Sequence, residues 1–357
     1  MQKDPLEPQA PADAATYVHH GEAPVVSILT PAYNVADFIE QTIESALRQT
    51  FRSFEMLIVD DGSTDETMAI ASKYARLDPR IKPTRQANAG IATARNAAIA
   101  RSRGRFFALL DSDDLWLPTY LAEQMAILEA HPEIAVLSAN AINFGGVRDG
   151  EPLLRVSGLD IRKMSLLELI RHEDSMSILS VFRREVTQAI GTFDGALRRS
   201  EDYDYWLRAA SAGFTVAINP KPLALYRRRP DSLSAAECLM LQAMRIPLEK
   251  LLQTSSERPE VQAAIEHQLV RFAVRSMIVN AREAIIKDDM IAAERLLGDL
   301  ARSTGNPRYH VAHRAARHVP AVVRFAYSCK RGFAPIWNRL RRRRSSPWRL
   351  QRASASI

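Results

Sequence analysis

The sequence contains few cysteines and no long apolar run. Its two cysteines, Cys238 and Cys329, match no spacing typical of a metal site or a redox pair, and we expect both to be reduced. No stretch of about 18 apolar residues occurs, so no membrane-spanning helix is expected. The first 23 residues are polar, lack the apolar core of a secretion signal and are expected to be disordered. These absences favour a globular, cytosolic protein.

Acidic residues are missing from the last part of the chain. Residues 301–357 contain 14 Lys or Arg and no Asp or Glu, whereas the whole chain has 48 basic and 41 acidic residues. The net charge of +7 therefore describes a basic tail, since the rest of the chain has 34 basic and 41 acidic residues and a charge of −7. Aromatic residues lie among the arginines in the last part of this tail: Phe325, Tyr327, Phe333, Trp337 and Trp348.

This basic, aromatic tail suits an anionic membrane surface, which attracts cations near the headgroups. A solvated tail without a partner is the main alternative. Binding to nucleic acid, which the same features also allow, is the least favoured of the three.

Apolar runs alternate with helical periodicity over the first part of the chain. Strands are predicted at 25–30, 54–59, 81–85 and 105–110, and helices at 36–49, 65–77, 90–103 and from Pro118 onward. The spacing of Ser63 and Glu66 predicts a capping box for the second helix. This alternation is typical of a parallel sheet covered by helices on both faces.

From about Ala235 the chain reads as helical. Residues 281–300 predict a helix hairpin with its turn at 287–289, which we interpret as a packing or dimerisation appendage.

Each predicted strand is followed by a polar loop. The four loops are Pro31–Asn34, Asp60–Asp65, Gln86–Gly90 and Asp111–Asp114. Because the carboxyl ends of parallel strands form the usual ligand site of such sheets, the four loops predict one binding site.

Two of these loops carry carboxylates suited to specific ligands. Asp111 and Asp113 form a D-x-D pair that can bind Mg²⁺ or Mn²⁺ and leave positions open for phosphate oxygens; a solvated turn is the alternative. Asp60 could accept hydrogen bonds from a nucleobase or ribose, or else cap the next helix. Gly62 allows a tight turn and close approach of a ligand.

Four segments in this order, VVSILTPAYN, LIVDDGSTD, NAGIATARN and LLDSDD, resemble family 2 glycosyltransferases of the GT-A fold. The resemblance covers about residues 24–234. It implies a Rossmann-like α/β fold with a mostly parallel sheet and helices on both faces, followed here by a C-terminal helical appendage. It further implies an inverting enzyme that uses a nucleotide-sugar donor and a divalent metal, Mg²⁺ or Mn²⁺.

The resemblance assigns a role to each matching donor-site residue. Pro31, Tyr33 and Asp60 would line the nucleobase, with Asp61 beside them. Asn88, Gly90 and Arg95 would flank the ribose and sugar; Arg95 could also be a surface helix cation. Asp111 and Ser112 would face the nucleoside, and Asp113, together with Asp111, would bind the metal.

The general base is assigned to an acidic pair. Asp202 is the preferred base, and Glu201 would orient it or bind the acceptor; both could merely favour a helix N-terminus. Asp204 is expected on the helix surface, and Trp206 either walls the acceptor cleft or packs in the core.

Tyr226–Ser234 resembles the closing strand and loop of the family. Arg229 stands where many members have histidine, and Arg227 or Arg229 could clamp a phosphate. A basic strand on the surface is the alternative.

The predicted organisation is a disordered segment at 1–23, a GT-A domain at 24–234, a helical appendage at 235–300 and a basic, partly disordered tail at 301–357. The predicted function is transfer of a sugar, with a UDP-linked donor as first choice, to a hydroxyl of a glycan or lipid-linked acceptor in cell-surface polysaccharide assembly. The tail would hold the enzyme on the cytoplasmic face of the membrane, and residues 235–300 could form a homodimer. The alternative is a nucleotide-sugar binding protein with a degenerate active site.

Overall fold

The computed structural model describes residues 23–324 except 147, 157, 230, 231, 233–235 and 322. The N-terminal segment predicted to be disordered therefore lies, but for its last residue, outside the described part. Cys329 and the aromatic residues Phe325, Tyr327, Phe333, Trp337 and Trp348 of the basic tail also lie outside it.

The first part of the chain alternates strands and helices as the periodicity predicts. In chain order these elements are β1 (Val26–Ala32), α1 (Ala36–Leu47), β2 (Phe54–Asp60), α2 (Thr67–Leu77), β3 (Ile81–Arg85), α3 (Ile91–Arg101) and β4 (Phe106–Leu109). Strands β1, β2 and β4 are buried along their whole length, which explains their nearly continuous apolar sequences.

The predicted capping box of α2 is wrong. Ser63 Oγ accepts a hydrogen bond from the Asn34 amide at 2.9 Å instead of capping the helix. Asp65 Oδ1 binds the Thr67 amide at 3.0 Å and the Thr67 hydroxyl at 2.6 Å. Ser63 has the spacing of a capping residue, but the Asn34 amide of the loop after β1 occupies its hydroxyl.

The second part of the chain completes the sheet with shorter and more varied elements. They are β5 (Leu115–Trp116), α4 (Tyr120–Ala130), β6 (Ile134–Phe144), β7 (Arg162–Met164), α5 (Leu166–Arg171), β8 (Ser180–Arg183), α6 (Arg184–Ile190), α7 (Glu201–Ser211) and β9 (Thr215–Arg227). Four helices follow: α8 (Glu237–Gln253), α9 (Pro259–Ile286), α10 (Met290–Thr304) and α11 (Pro307–His318).

The strands form one mixed sheet in the order β3-β2-β1-β4-β8-β6-β9-β5, with β7 paired to β9. The pairs among β3, β2, β1 and β4 are parallel, whereas β8 pairs antiparallel with both of its neighbours. The chain order reverses between β1 and β4, and this reversal is where open α/β sheets bind ligands. The α/β fold with helices on its sheet and a helical C-terminal part is as predicted.

Close packing at the edge of β1 requires a glycine. A Cβ on Gly104 would lie 2.6 Å from the Ser27 backbone nitrogen, so any side chain there would collide with β1. The Gly104 amide instead binds Ser27 Oγ at 2.8 Å, and Ser27 Oγ binds buried Glu55. This contact fixes the approach of β4 to β1, and with it the position of the D-x-D loop.

The C-terminal helices form two packing units. Leu241 and Leu248 of α8, and Ile265 and Phe272 of α9, belong to the main core together with the sheet. The predicted hairpin is present as α9 and α10, with Asp288 in the turn at φ 64°. Its far end, with α11, has separate small apolar clusters.

Within the described residues, no helix combines the length and the apolar character needed to cross a bilayer.

Candidate active site

The loops after β1 and β2 are joined to each other by hydrogen bonds. Asn34, in a left-handed conformation at φ 50°, accepts a hydrogen bond from the Thr64 amide at 2.8 Å through Oδ1. The Val35 amide donates to Thr67 Oγ1 at 2.9 Å. These contacts hold Pro31 and Tyr33 at the mouth of a cavity, where half of the Tyr33 surface is exposed (51%).

The two aspartates that end β2 hold the loops in place. Asp60 is fully buried, accepts from the Ser63 amide at 3.0 Å, and lies 3.4 Å from Arg85 Nε. Asp61 binds the third loop, accepting from the Ala89 amide at 2.9 Å and the Gly90 amide at 2.8 Å. Asp61 lines the cavity, whereas Asp60 lies behind it.

The D-x-D loop follows β4 and is surrounded by arginines. Asp113 Oδ2 lies 3.2 Å from Arg229 Nε, and Asp113 O accepts from Arg227 Nε at 2.7 Å. Burial and the neighbouring Asp111 raise the pKa of Asp113, and Arg229 opposes the rise. The end of β9 and Arg229 after it therefore lie against this loop.

Asp114, which the sequence analysis did not assign, supports the loop from behind. It is buried and accepts a hydrogen bond from the Arg227 amide at 2.8 Å. Burial, followed by the charges of Asp113 and Asp111, raises the pKa of Asp114 well above its usual range. Its position directly after D-x-D was the only signal for it in the sequence.

Arg95 connects the D-x-D loop to the acidic pair on α7. Its guanidinium is almost fully buried; Nη2 donates to Asp111 Oδ1 at 2.6 Å, and Nη1 donates to Glu201 Oε1. The charges of Asp111 and Glu201 raise the pKa of Arg95 against the effect of burial, so the side chain stays charged. Arg95 is thus not a surface cation: it is buried and forms ion pairs with Asp111 and Glu201.

Glu201 and Asp202 begin α7 and differ in their surroundings. Glu201 is buried and bound to Arg95, whereas Asp202 is partly exposed and lines the cavity. Burial and the charge of Glu201 raise the pKa of Asp202 to about 6, with Arg95 opposing them. An aspartate with this pKa is ionised at neutral pH and can still accept a proton.

The remainder of α7 anchors the pair in the core. Asp204 is buried and binds Arg208 Nε at 2.7 Å, so its expected place on the helix surface is wrong. Trp206 both lines the cavity and packs against Phe182, with ring centroids 5.7 Å apart. The core role and the cleft role are combined in one side chain.

One cavity of about 1310 Å³ gathers these groups. Among the predicted site residues, those that line it are Pro31, Tyr33, Asp61, Asn88, Gly90, Arg95, Asp111, Ser112, Asp113, Glu201, Asp202, Arg227 and Arg229. Asp60 is the exception.

Comparison with known proteins identifies the family. The model of glycosyl transferase family 2 matches residues 27–191. A putative teichuronic acid biosynthesis glycosyltransferase, TuaG of Bacillus subtilis (strain 168), is 34% identical over 223 residues, covering 59% of this chain and 82% of that protein. The chain belongs to glycosyltransferase family 2. It is therefore an enzyme of the glycosyltransferase class, as predicted.

Solved structures with the same fold include complexes with bound nucleotide-sugars. S. aureus TarS 1–349 in complex with UDP-GlcNAc superimposes with a TM-score of 0.57 at 20% identity, covering 85% of this chain and 89% of that one. The mannosyltransferase PcManGT from Pyrobaculum calidifontis, in complex with GDP-Man and Mn²⁺, gives 0.54 at 19% identity and 87% of both chains. At these identities the likeness supports the fold alone, and it confirms the GT-A prediction.

The carboxylates of this glycosyltransferase fit a divalent cation that shares its coordination with a ligand. Asp111 and Asp113 present oxygens at the strand end, each with one oxygen facing an arginine. Within the described residues, no three His, Cys, Asp or Glu side chains could hold a metal by themselves. Two carboxylates completed by phosphate oxygens and water are the usual Mg²⁺ arrangement in phosphate-binding sites.

The glycosyltransferase site also contains residues that the sequence analysis missed. Arg198 and Arg199 line the cavity immediately before Glu201 and Asp202. The side chain of Arg198 lies over the third loop, since a Cβ on Gly90 would be 3.0 Å from Arg198 Nη1. The two consecutive arginines beside the acidic pair were the available signal.

Proposed function

We propose that this glycosyltransferase moves a sugar from a nucleoside-diphosphate sugar to an acceptor hydroxyl, with inversion, during assembly of a bacterial cell-surface polysaccharide. UDP is the first candidate nucleotide, and GDP and dTDP are the alternatives. The acceptor is a glycan or a lipid-linked acceptor. The name of the TuaG relative and the UDP-GlcNAc complex of TarS support this choice of substrates.

The observation that carries the proposal is the bridge made by Arg95. It holds Asp111 of the D-x-D loop and Glu201 of the acidic pair on one buried guanidinium, so donor loop and base face the same cavity. A planar fork that binds two carboxylates fixes their relative orientation more tightly than a point charge would.

The reaction follows from this arrangement. The acceptor oxygen attacks the anomeric carbon, the bond from that carbon to the diphosphate oxygen breaks, and the hydroxyl proton passes to Asp202. The nucleoside diphosphate leaves with the electron pair. Asp111 and Asp113 would hold Mg²⁺ or Mn²⁺, which when bound would stabilise the charge on the leaving diphosphate. Arg227 and Arg229 lie beside the same loop and can contact the phosphates.

The test compares two aspartates that occupy the same position in their helices. Asp202→Asn and Asp37→Asn each remove an acid from the first turn of a helix, α7 or α1. We expect Asp202→Asn to lower nucleoside-diphosphate release by about 10²–10⁴-fold, the range for general-base catalysis. Asp37→Asn should leave release unchanged, because an exposed first-turn acid affects only helix stability.

Donor binding is measured in parallel by thermal shift with a panel of nucleotide-sugars and Mn²⁺, since a ligand of the folded state raises the midpoint. Equal release by both variants would remove Asp202 from its role. Donor binding without turnover on any acceptor extract would favour the degenerate, binding-only alternative.

The location of the enzyme is part of the proposal. We propose that the basic residues of 301–357 hold it on the cytoplasmic face of the membrane, by attraction to anionic headgroups. A homodimer through 235–300 stays a prediction that the single chain does not address.

A further inference from the structure

The cavity has a second half that the donor loops do not form. The donor half lies beyond β3, β2, β1 and β4, whereas the other half is bounded by residues 153–156, by 172–178, by the start of α7 and by Met240 and Met244 of α8. Asp202 lies at the start of α7, in the second half, and is close enough to Arg95 and Asp111 of the donor half to interact with their charges. Under the proposed function, on which this inference rests, the acceptor enters through this second half.

Two arginines of the second half have no acidic partner among the described residues. Arg162 binds Glu168 at 2.9 Å and Arg275 binds Glu173 at 3.0 Å, so their charges are balanced. Arg155 and Arg199 line the same cavity and make no side-chain ion pair or hydrogen bond within the part of the chain that the structure describes. A guanidinium group without such a partner can bind a carboxylate or phosphate of a ligand.

Buried polar atoms beside Asp202 also lack partners. Arg199 Nε, Ser200 Oγ and Trp206 Nε1 are buried and find no hydrogen-bond partner in the described structure, and all three residues line the cavity. A buried unsatisfied donor costs about 1–3 kcal/mol, so such groups are normally paired. Ser200 is 4% exposed and is held in a left-handed conformation at φ 59°, a strain that is common at ligand sites.

From these observations we infer that the acceptor is anionic and that its charged group, a phosphate or a carboxylate, binds Arg199, Ser200 and Arg155 close to the attacking hydroxyl. Arg199 and the Trp206 indole can each donate a hydrogen bond to an anion, and Ser200 can donate a third. The apolar side chains of Met176, Met240 and Met244 line the same half and would contact uncharged parts of the acceptor.

The experiment fills the donor half first, so that an added anion cannot bind there. The full-length protein is saturated with Mg²⁺, which is diamagnetic and does not broaden nearby resonances, and with the nucleoside diphosphate that the donor panel identifies. Inorganic phosphate and glucuronate are then titrated separately, while the Nε–Hε resonance of Arg199 is followed by NMR and assigned by its loss in Arg199→Gln. We expect a saturable shift with one or both anions, and none with the same concentration of neutral glucose.

The matched control is Arg148, which also lines the cavity but is paired with Glu151 at 3.3 Å. In the variants, binding is followed by the Nε1–Hε1 resonance of Trp206, which lines the same cavity. Arg199→Gln should weaken anion binding about tenfold or more, as expected for the loss of a charge-assisted hydrogen bond, and Arg148→Gln should leave it unchanged. Ser200→Ala tests the same site with a smaller change and serves if Arg199→Gln fails to fold.

The anions distinguish the source of the charge. A shift with phosphate alone indicates a phosphate-bearing acceptor, and a shift with glucuronate alone indicates an acidic sugar. No saturable shift with either anion, or equal weakening in Arg199→Gln and Arg148→Gln, would overturn the inference. Failure of the nucleoside diphosphate to bind the wild type would instead contradict the proposed function.

Discussion

At the scale of single residues, the acidic pair on α7 shows how neighbouring carboxylates acquire different properties. Glu201 is bound to buried Arg95, whereas Asp202 forms no ion pair with an arginine among the described residues and faces the cavity. The charge of Glu201 and burial raise the pKa of Asp202 to about 6. Under the proposed function, Glu201 would be the positioning group and Asp202 the proton acceptor.

The raised pKa predicts an acidic limb in the rate profile. Asp202 must be ionised to accept a proton, so kcat/KM should be constant above pH 7 and fall below about pH 6. Glu201→Gln removes one cause of the raised pKa and should move the limb to lower pH. Initial rates of nucleoside-diphosphate release between pH 4.5 and 8 measure the position of the acidic limb in the wild type and in Glu201→Gln. A limb that keeps its position in Glu201→Gln would assign it to another group.

Arg95 is the second residue for which the structure predicts a clear effect. Arg95→Lys keeps the charge but cannot bridge Asp111 and Glu201 with a planar fork, so we expect turnover to fall much more than stability. Arg95→Met leaves two carboxylates without their partner and should destabilise the fold by about 3–5 kcal/mol. Urea unfolding and donor turnover measure the two effects.

The control is Arg101→Lys at the exposed end of the same helix, where the side chain, within the described part of the chain, donates to the Ala97 carbonyl alone. It should match the wild type in both assays. If Arg95→Lys keeps full turnover, the bridge does not orient the base.

At the scale of elements, the start of α3 combines a special backbone with a close side-chain contact. Gly90 precedes α3 at φ 96° and ψ 161°, a region that residues with a side chain rarely adopt. Its amide binds Asp61, and the Arg198 guanidinium lies over it. One glycine therefore joins the second loop, the third loop and the segment before α7.

Gly90→Ala should weaken donor binding, and Gly191→Ala provides a matched control. Gly191 has nearly the same backbone, φ 78° and ψ −171°, but no atom within 4 Å of its Cβ position. Both variants should lose about 1–3 kcal/mol of stability through backbone strain. Only Gly90→Ala displaces Arg198, so only this variant should raise the donor Kd in calorimetry. Equal donor affinity in the two variants would show that the contact is not part of the donor site.

At the scale of the whole molecule, the helices after residue 235 are not a separate attachment. Side chains of α8 and of the first half of α9 belong to the main core, and Met240 and Met244 line the cavity. Arg275 of α9 pairs with Glu173, which lies in the same cavity wall. The second half of the cavity is thus completed by helices that the sequence analysis described only as an appendage.

Two truncations separate the roles of the C-terminal part. Removing residues 235–357 exposes the apolar faces that α8 and α9 cover, and we expect loss of cooperative unfolding. Removing 325–357 leaves every described helix in place and should preserve donor turnover while reducing co-sedimentation with anionic liposomes. The second truncation removes nine of the 14 basic residues of 301–357. Unaltered liposome binding would contradict the membrane role of the tail.

Much of this protein follows from local sequence patterns. The apolar runs of β1, β2 and β4 and the polar loops after them are readable because burial on both faces excludes polar residues until a strand ends. The D-x-D and Glu201-Asp202 motifs are local, and so are the glycines with positive φ. The hairpin of α9 and α10 was also predictable, because two segments with helical apolar periodicity are separated by the charged residues 287–289.

The tertiary structure alone decided which of these residues meet. Nothing local shows that Arg95 binds Asp111 and Glu201, which lie 16 and 106 residues away. The same holds for Asp60, which lies behind the cavity, for Ser63, which binds Asn34, and for α8, which forms part of the wall. These outcomes depend on packing across the sheet, where distant side chains compete for the same buried hydrogen bonds, and a pattern along the chain does not contain that competition.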